Sequence, residues 1–436
     1  MADFDYILAN DFDRAWLNFE LDLPLKPGPN GEPNPFYVDR PDNPVAALEL
    51  ELLKPFRTPP KIFFSGLRGC GKSTELYRVA VNPAITRHYW PVHFSIKDEE
   101  GPGTDNLDYR DVLLEIGGRM YRYFRAGGGK LREDLVKELD SFRGRVEKEV
   151  TITPGRMVEA EAEAKLNAFF AEAGLKIKLE PHTRTILRQV IEQNIRELVG
   201  LINNIAVAIL SVEKRWPLVL IDDLDKLDLG RSREIFQDHR ETMIQPAVPI
   251  VYTVASPLFY QPGIRDLLGT PIFLPNVKVH ERGQADNPSS EGYRVLRMFV
   301  RKRMKADLIA DDALNEAIRV SGGVFRELCR VVRTAISYAQ RASRPDTRIE
   351  SEDVHKAEAE IRTFYWRFIT QEQRRILRTI RQHNQYNEPD KVAPLLESLA
   401  ALEYTNDKPW CDVHPALIKL LDETAEYDNA SDATPA

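Results

Sequence analysis

Five short, unbroken apolar runs punctuate the chain: KIFFS (61–65), HYWPVHFSI (88–96), WPLVLI (216–221), PIVYTVA (249–255) and PIFLP (271–275). Runs of this length without polar alternation predict strands buried on both faces. Segments of helical period separate them: TELYRVAV after the first run, LDYRDVLLEIGGRMYRYF (107–124) closed by the glycines of AGGGK, then REIFQDHRETMI and SPLFYQPGIRDLL. Buried strands alternating with helices predict a parallel sheet covered on both faces, an α/β fold. Between the second and third runs, 97–212 reads as a helical insertion. Its part from 131 on is charged, Ala-rich and helical in period except at TITPG and the alternating KIKLE.

The flanks read differently. The first 35 residues end in LKPGPNGEPNP, a loop by composition, so the compact fold is expected to start near Phe36. ERGQADNPSSEG (281–292) is a linker, and 293–362 is helical with breaks at SGG (321–323) and SRPDT (343–347), an all-α lid. TQEQRRILRTIRQ, DKVAPLLESLAAL and EYTNDKPWCDV then read as helix, helix and hairpin, the pattern of a winged helix. The expected organisation is an extension (1–35), an α/β core (36–280), the lid (281–362), the winged helix (363–424) and an acidic, disordered tail (425–436).

A length of 436 residues accommodates this plan, and a net charge of -7 gives no general attraction to nucleic acid or anionic membrane. Cys70, Cys329 and Cys411 lie too far apart for a disulfide framework or a zinc site, so reduced thiols are expected. The most apolar helical stretch, 198–210, is broken by Asn203 and Asn204 and reads as a buried helix, not a membrane span. The acidic N-terminus lacks a basic and apolar leader, so the cytoplasm is expected.

The chemistry concentrates at two strand ends. GLRGCGKS satisfies G-x-x-x-x-G-K-[ST] between a predicted strand and a predicted helix. Gly66, Gly69 and Gly71 permit the turn, amides from Gly69 through Cys70 to Thr74 can surround phosphate oxygens, Lys72 can reach the β- and γ-phosphates, and Ser73 can place its hydroxyl on Mg²⁺. LVLIDDLDK puts Asp222 and Asp223 at the end of an apolar strand, the first suited to the metal and the second to polarising an attacking water. Asp223 is one methylene shorter than the usual glutamate, so slow hydrolysis is expected.

Together these segments resemble the additional-strand P-loop ATPases, in particular AAA+ proteins and their STAND relatives, over 36–362. The resemblance implies ATP and Mg²⁺ as ligands and oligomerisation. It also implies an adenine-packing motif, matched here by Tyr37, Val38 and Arg40, and a polar sensor after the second strand motif, Ser256 with Thr253 as runner-up. STAND proteins often carry an arginine near that point, and this chain has none. SGGVFRELCRVVRTAI resembles the lid segment in which an arginine meets the γ-phosphate, implying Arg326. Arg265 matches the place of an arginine finger acting on a neighbouring subunit, with Arg231, Arg233 and Arg240 as competitors. IDDLDK also resembles the KAP family of P-loop ATPases.

Between 367 and 423, eight Lys and Arg face nine Asp and Glu, and the helix in the recognition position carries one lysine, no arginine, and neither asparagine nor glutamine to read a base edge. This favours a protein partner, through the winged helix or the insertion, over DNA. The function expected is an ATP-dependent switch, in prokaryotic signalling or defence by resemblance. The alternatives are a DNA-binding loader ATPase and a nucleotide-binding scaffold with little hydrolysis.

Overall fold

All five apolar runs are strands in the computed structural model: β1 (Lys61–Gly66), β2 (Tyr89–Ser95), β3 (Trp216–Asp222), β4 (Ile250–Thr253) and β5 (Thr270–Leu274). The structure describes the chain apart from residues 1–3, 24, 29–30, 42, 44, 99–101, 151–168, 171–180, 261–269, 343, 345–347 and 426–436. The strands form one all-parallel sheet in the order β2-β3-β4-β1-β5. Register pairs Val219 with Ile250 and Lys61 with Ile250, which sets β4 between β3 and β1. Every residue of β1 and β4 is buried, as double-sided cover requires.

The chain divides into two compact units, Ala47–Ser65 with Glu75–Ile272, and Met1–Ala46 with Gly66–Thr74 and Phe273–Ala436. The first unit holds most of the sheet and the insertion. The helix α1 (Tyr109–Ala126) starts on an Asp108–Asp111 capping box and stops at Gly127. With α2 (Glu133–Val150), α3 (Pro181–Gln193) and α4 (Ile195–Glu213) it contributes Leu113, Ile116, Ile202 and Ile205 to a core shared with Phe94, Val219 and Tyr252. Among the described residues α4 is the one helix long and apolar enough to cross a membrane. It packs against α1, α2 and β3, and its Asn203 and Asn204 engage the Ala247 amide and Glu138. TITPG and KIKLE lie outside the described residues. REIFQDHRETMI is broken into short turns, Leu229–Arg233, a π turn Glu234–Asp238 and Arg240–Met243.

The second unit holds the lid helices α5 (Glu291–Arg301), α6 (Asp311–Ser321), α7 (Phe325–Arg341) and α8 (Ser351–Trp366). Helical period runs on through 302–310, yet the chain breaks there: Met304 bridges Ala9, and Ile309 bridges Ile349. The N-terminal segment is therefore packed well before Phe36. Its helix Phe12–Asn18 buries Phe12 and Ala15, and Asn18 Nδ2 donates to Ile7 O (2.8 Å) and Arg303 O (2.7 Å). At the far end come α9 (Gln371–His383), α10 (Pro389–Glu397), an antiparallel hairpin of β6 (Ala401–Thr405) and β7 (Pro409–Val413), and Ile418–Glu423. Sequence period carries α10 to residue 402, but Leu399 takes φ 62° and turns the chain into β6.

Candidate functional site

The glycine-rich segment belongs to the second unit. It leaves β1 at Gly66, and the helix Lys72–Val81 begins on its lysine. Gly71 has φ +101° and Gly69 φ +79°, conformations that side chains disfavour, and a Cβ on Gly69 would stand 2.3 Å from Arg326 Cβ. Lys72 is buried and its Nζ donates to the carbonyls of Gly66 (2.8 Å) and Leu67 (3.1 Å). Arg40 clamps the same loop, donating to Cys70 O at 2.7 Å and Pro275 O at 2.6 Å, and its guanidinium lies over the Phe325 ring. Tyr37 and Val38 are buried beside it in sequence, Cys70 is fully buried, and Ser73 and Thr74 are half-buried on the first turn.

Arg326, at the start of α7, donates its backbone N–H to Gly69 O at 3.3 Å and its guanidinium to Asp22 at 2.8 Å. Burial lowers its proton affinity most, Asp22 opposes that, and the nearby Arg68 and Arg330 add to the lowering. This crowding of cations favours an anion. The next residue, Glu327, is fully buried; its Oε2 accepts from Arg330 at 3.2 Å and lies 3.7 Å from His414 Nε2. A cavity of about 570 Å³, lined by Arg40, Pro41, Pro275, Asn276, Lys278 and the first turn of α5, opens in this unit.

The acidic strand end belongs to the first unit. Asp222, Asp223 and Asp225 can bring carboxylate oxygens within 4.8 Å of one another, a set of hard donors of the kind Mg²⁺ accepts. Asp223 sits at φ 67°, unusual for a residue with a side chain, and its N–H donates to Asp222 Oδ1 at 2.8 Å. Both of its own oxygens are engaged: Ser95 Oγ donates to Oδ2 at 2.5 Å, and Lys226 Nζ pairs with Oδ1. Burial pushes this carboxyl up, but the hydrogen bonds from Lys226 and Ser95 outweigh it and hold it below the usual range. Thr253, the last residue of β4, accepts the Leu224 N–H at 3.0 Å, while Ser256 lies buried at the start of the turn after it. Arg265 is outside the described residues.

Sequence reasoning passed over Asp22, Ser95 and Lys226. Only Lys226 carries a local signal, three residues after Asp223 in the same loop; the other two reach their partners across 304 and 128 residues. No protein family and no curated protein matches this chain.

Proposed function

We propose that this chain is an ATPase of the P-loop kind, binding ATP with Mg²⁺, hydrolysing it slowly and acting as an oligomeric conformational switch in the cytoplasm. The observation that carries the reading is the sheet order. Strand β4 is interposed between β1, which runs into the glycine-rich loop, and β3, which ends in Asp222 and Asp223. An interposed strand of this kind gives the additional-strand ATPases their description, and parallel sheets gather ligands at their carboxyl ends.

In this reading the amides of Gly69 to Thr74 receive phosphate oxygens, and Lys72 exchanges two loop carbonyls for phosphate. Arg326 is the lid arginine. Tyr37, Val38 and Arg40 are the residues assigned to the base, and of the three Arg40 lines the cavity. Ser73 and Asp222 are the residues assigned to Mg²⁺, whose charge, when bound, offsets that of the phosphates. Asp223 orients and deprotonates the attacking water, with Thr253 or Ser256 as the sensor. An aspartate with both oxygens already engaged is a reluctant base, which supports slow turnover. Oligomerisation would add Arg265 from a neighbouring copy. A protein partner is favoured over DNA for 363–424, read as a winged helix, because α10 carries one lysine, no arginine, and neither asparagine nor glutamine.

The test is equilibrium binding of a fluorescent ATP analogue with Mg²⁺, alongside light scattering after size exclusion, for wild type and Lys72→Ala. Wild type is expected to bind and to grow in mass with ATP, and Lys72→Ala to lose both. Equal binding by the two proteins refutes the phosphate role of the loop, and a monomer in every condition refutes the oligomeric switch.

A further inference from the structure

Among the described residues of the second unit, eight large apolar side chains stand exposed, and all but Met298 fall in two short stretches. One is N-terminal: Ile7, Leu8, Trp16 and Leu17, with Ile7 at 55% exposure. The other closes α8 and opens the turn after it: Phe364, Trp366 and Phe368, with Phe364 at 56%. Exposed apolar groups scattered singly need no explanation, but groups gathered in this way mark a surface that another molecule covers.

Neither stretch is a loose end. In the first, the Ala9 N–H donates to Arg303 O at 3.0 Å and the Lys305 N–H to Ala9 O at 2.9 Å, and the helix that carries Trp16 and Leu17 is seated by buried Phe12 and Ala15. In the second, Tyr365 turns inward and donates its hydroxyl to Ser398 O at 3.0 Å, while the Phe364 and Phe368 rings meet edge to face with 5.4 Å between centres. Backbone already fastened in this way costs little ordering when a partner arrives.

Charge separates the two. Residues 4–22 carry five carboxylates and one arginine, whereas 361–380 carry five arginines and one glutamate. Part of each set is used within the fold: Glu20 and Asp22 reach arginines of α7, Arg374 lies over Trp366, and Arg378 donates to Leu421 O. Asp5 and Asp13 in the first stretch, and Arg362 and Arg367 in the second, have no ion-pair partner among the described residues. Either stretch meeting its own copy across a two-fold axis would set like charge against like. Each meeting the other sets arginine against carboxylate and apolar group against apolar group.

We propose that the two stretches bind each other between copies of this chain, the N-terminal stretch of one subunit seated on the α8 end of the next. A contact between two different surfaces propagates into a ring or a filament and does not stop at a dimer. The proposal rests on the oligomeric part of the reading above and gives it an interface. Asp22, which holds Arg326, lies on the same N-terminal stretch, so the contact and the arginine share one element.

The experiment measures mass by sedimentation equilibrium over a range of concentrations, with and without ATP and Mg²⁺, alongside binding of a fluorescent ATP analogue. It compares wild type, Asp5→Arg/Asp13→Arg, Arg362→Glu/Arg367→Glu, an equimolar mixture of these two, and Phe364→Ala/Phe368→Ala. Each charge reversal is expected to weaken self-association about tenfold or more, and the mixture to regain it, because its reversed stretches complement each other. Phe364→Ala/Phe368→Ala should weaken it about 30-fold, the loss of an aromatic anchor. Binding of the ATP analogue should stay at the wild-type level throughout, which also shows that the variants fold. Association untouched by both reversals, or a mixture that stays apart, overturns the proposal and leaves the oligomeric switch standing. Wild-type association that both reversals break but that ignores ATP supports the contact and refutes the switch. A wild type that is monomeric at every concentration refutes both. Salt-dependent binding of an oligodeoxythymidine that is lost in Arg362→Glu/Arg367→Glu, with mass unaffected, overturns the proposal by assigning the aromatic stretch to nucleic acid.

Discussion

Arg326 and Asp223 are two of the charged side chains expected to meet the reacting end of a nucleotide, and they are restrained in different ways. Arg326 is tied by one carboxylate, Asp22, whose side chain is 72% exposed, on a segment far away in sequence. Asp223 is tied at both oxygens, by a serine at the end of the neighbouring strand β2 and by a lysine on its own loop. Exposed ion pairs contribute roughly 0 to 1 kcal/mol, so a phosphate can outcompete Asp22 unaided. A carboxylate held from two elements yields only when the protein moves. On the reading proposed above, the arginine region would respond to nucleotide directly, and the acidic region only with a movement of the protein around it.

The largest expected effect separates the two directly. Lys72→Ala should weaken ATP binding by about 100-fold or more, since it removes the cation assigned to the phosphates. Asp223→Asn should bind ATP as wild type does while losing about 100-fold or more in turnover, the usual contribution of a general base. If Asp223→Asn turns over at the wild-type rate, Asp223 is not the base and the contrast between the regions collapses.

Next comes a charge at the other end of β1. Lys61 is buried, donates to Val248 O at 2.8 Å, and burial brings its pKa down to about 8 from 10.5. Below about pH 8 the amine is charged folded and unfolded alike, and the burial penalty is constant. Between about 8 and 10.5 only the unfolded chain keeps the proton, so stability rises with pH by about 3 kcal/mol in all. Denaturant titrations across that window should show the rise in wild type and not in Lys61→Met. Its absence in wild type would mean that Lys61 reaches water, and that charges at the strand entrances are no more bound to the fold than those at the exits.

Gly69→Ala probes the arginine region at a smaller scale. A left-handed φ costs a residue with a side chain about 1 to 2 kcal/mol, and the added Cβ would press on Arg326 Cβ at 2.3 Å. The variant is expected to bind ATP about tenfold more weakly while leaving hydrogen exchange in residues 220–226 unaltered. Altered exchange there would show that the two regions are not separately restrained.

How much of this was legible beforehand follows from the range of the interactions. The sheet was readable because KIFFS, WPLVLI and PIVYTVA are apolar without alternation, and the loop because only glycine tolerates the φ of Gly69 and Gly71. Break points were harder. Nothing local in KRMKADLIA forbids a helix, and the bridges of Met304 to Ala9 and Ile309 to Ile349 come from far along the chain. The packed N-terminus was missed because LKPGPNGEPNP describes its connection and not the helix Phe12–Asn18 before it. Arg326 could be singled out from its motif, whereas Asp22 could not, because an acidic residue in a polar stretch carries no sign of its partner.

That pair gives the smallest effect and the sharpest view of the weaker restraint. The segment bearing Asp22 is held independently, by Trp16 under the Arg333 guanidinium at 4.2 Å and by Glu20 at 3.6 Å from Arg333, so Asp22→Asn should leave it seated. What changes is the charge facing Arg326, which then sits among Arg68 and Arg330 with its carboxylate gone. ATP affinity is expected to rise about two- to fivefold, the value of an exposed ion pair. Salt weakens ATP binding to both proteins, but it also screens Asp22 from Arg326 in wild type alone, so the ratio of the two affinities should shrink toward one as ionic strength rises. Affinity that is unchanged, or a ratio that ignores salt, would mean that Asp22 braces α7 without competing for the ligand. Arg326 would then need a protein movement to be released, as Asp223 does, and the two regions would differ in chemistry but not in how they are controlled.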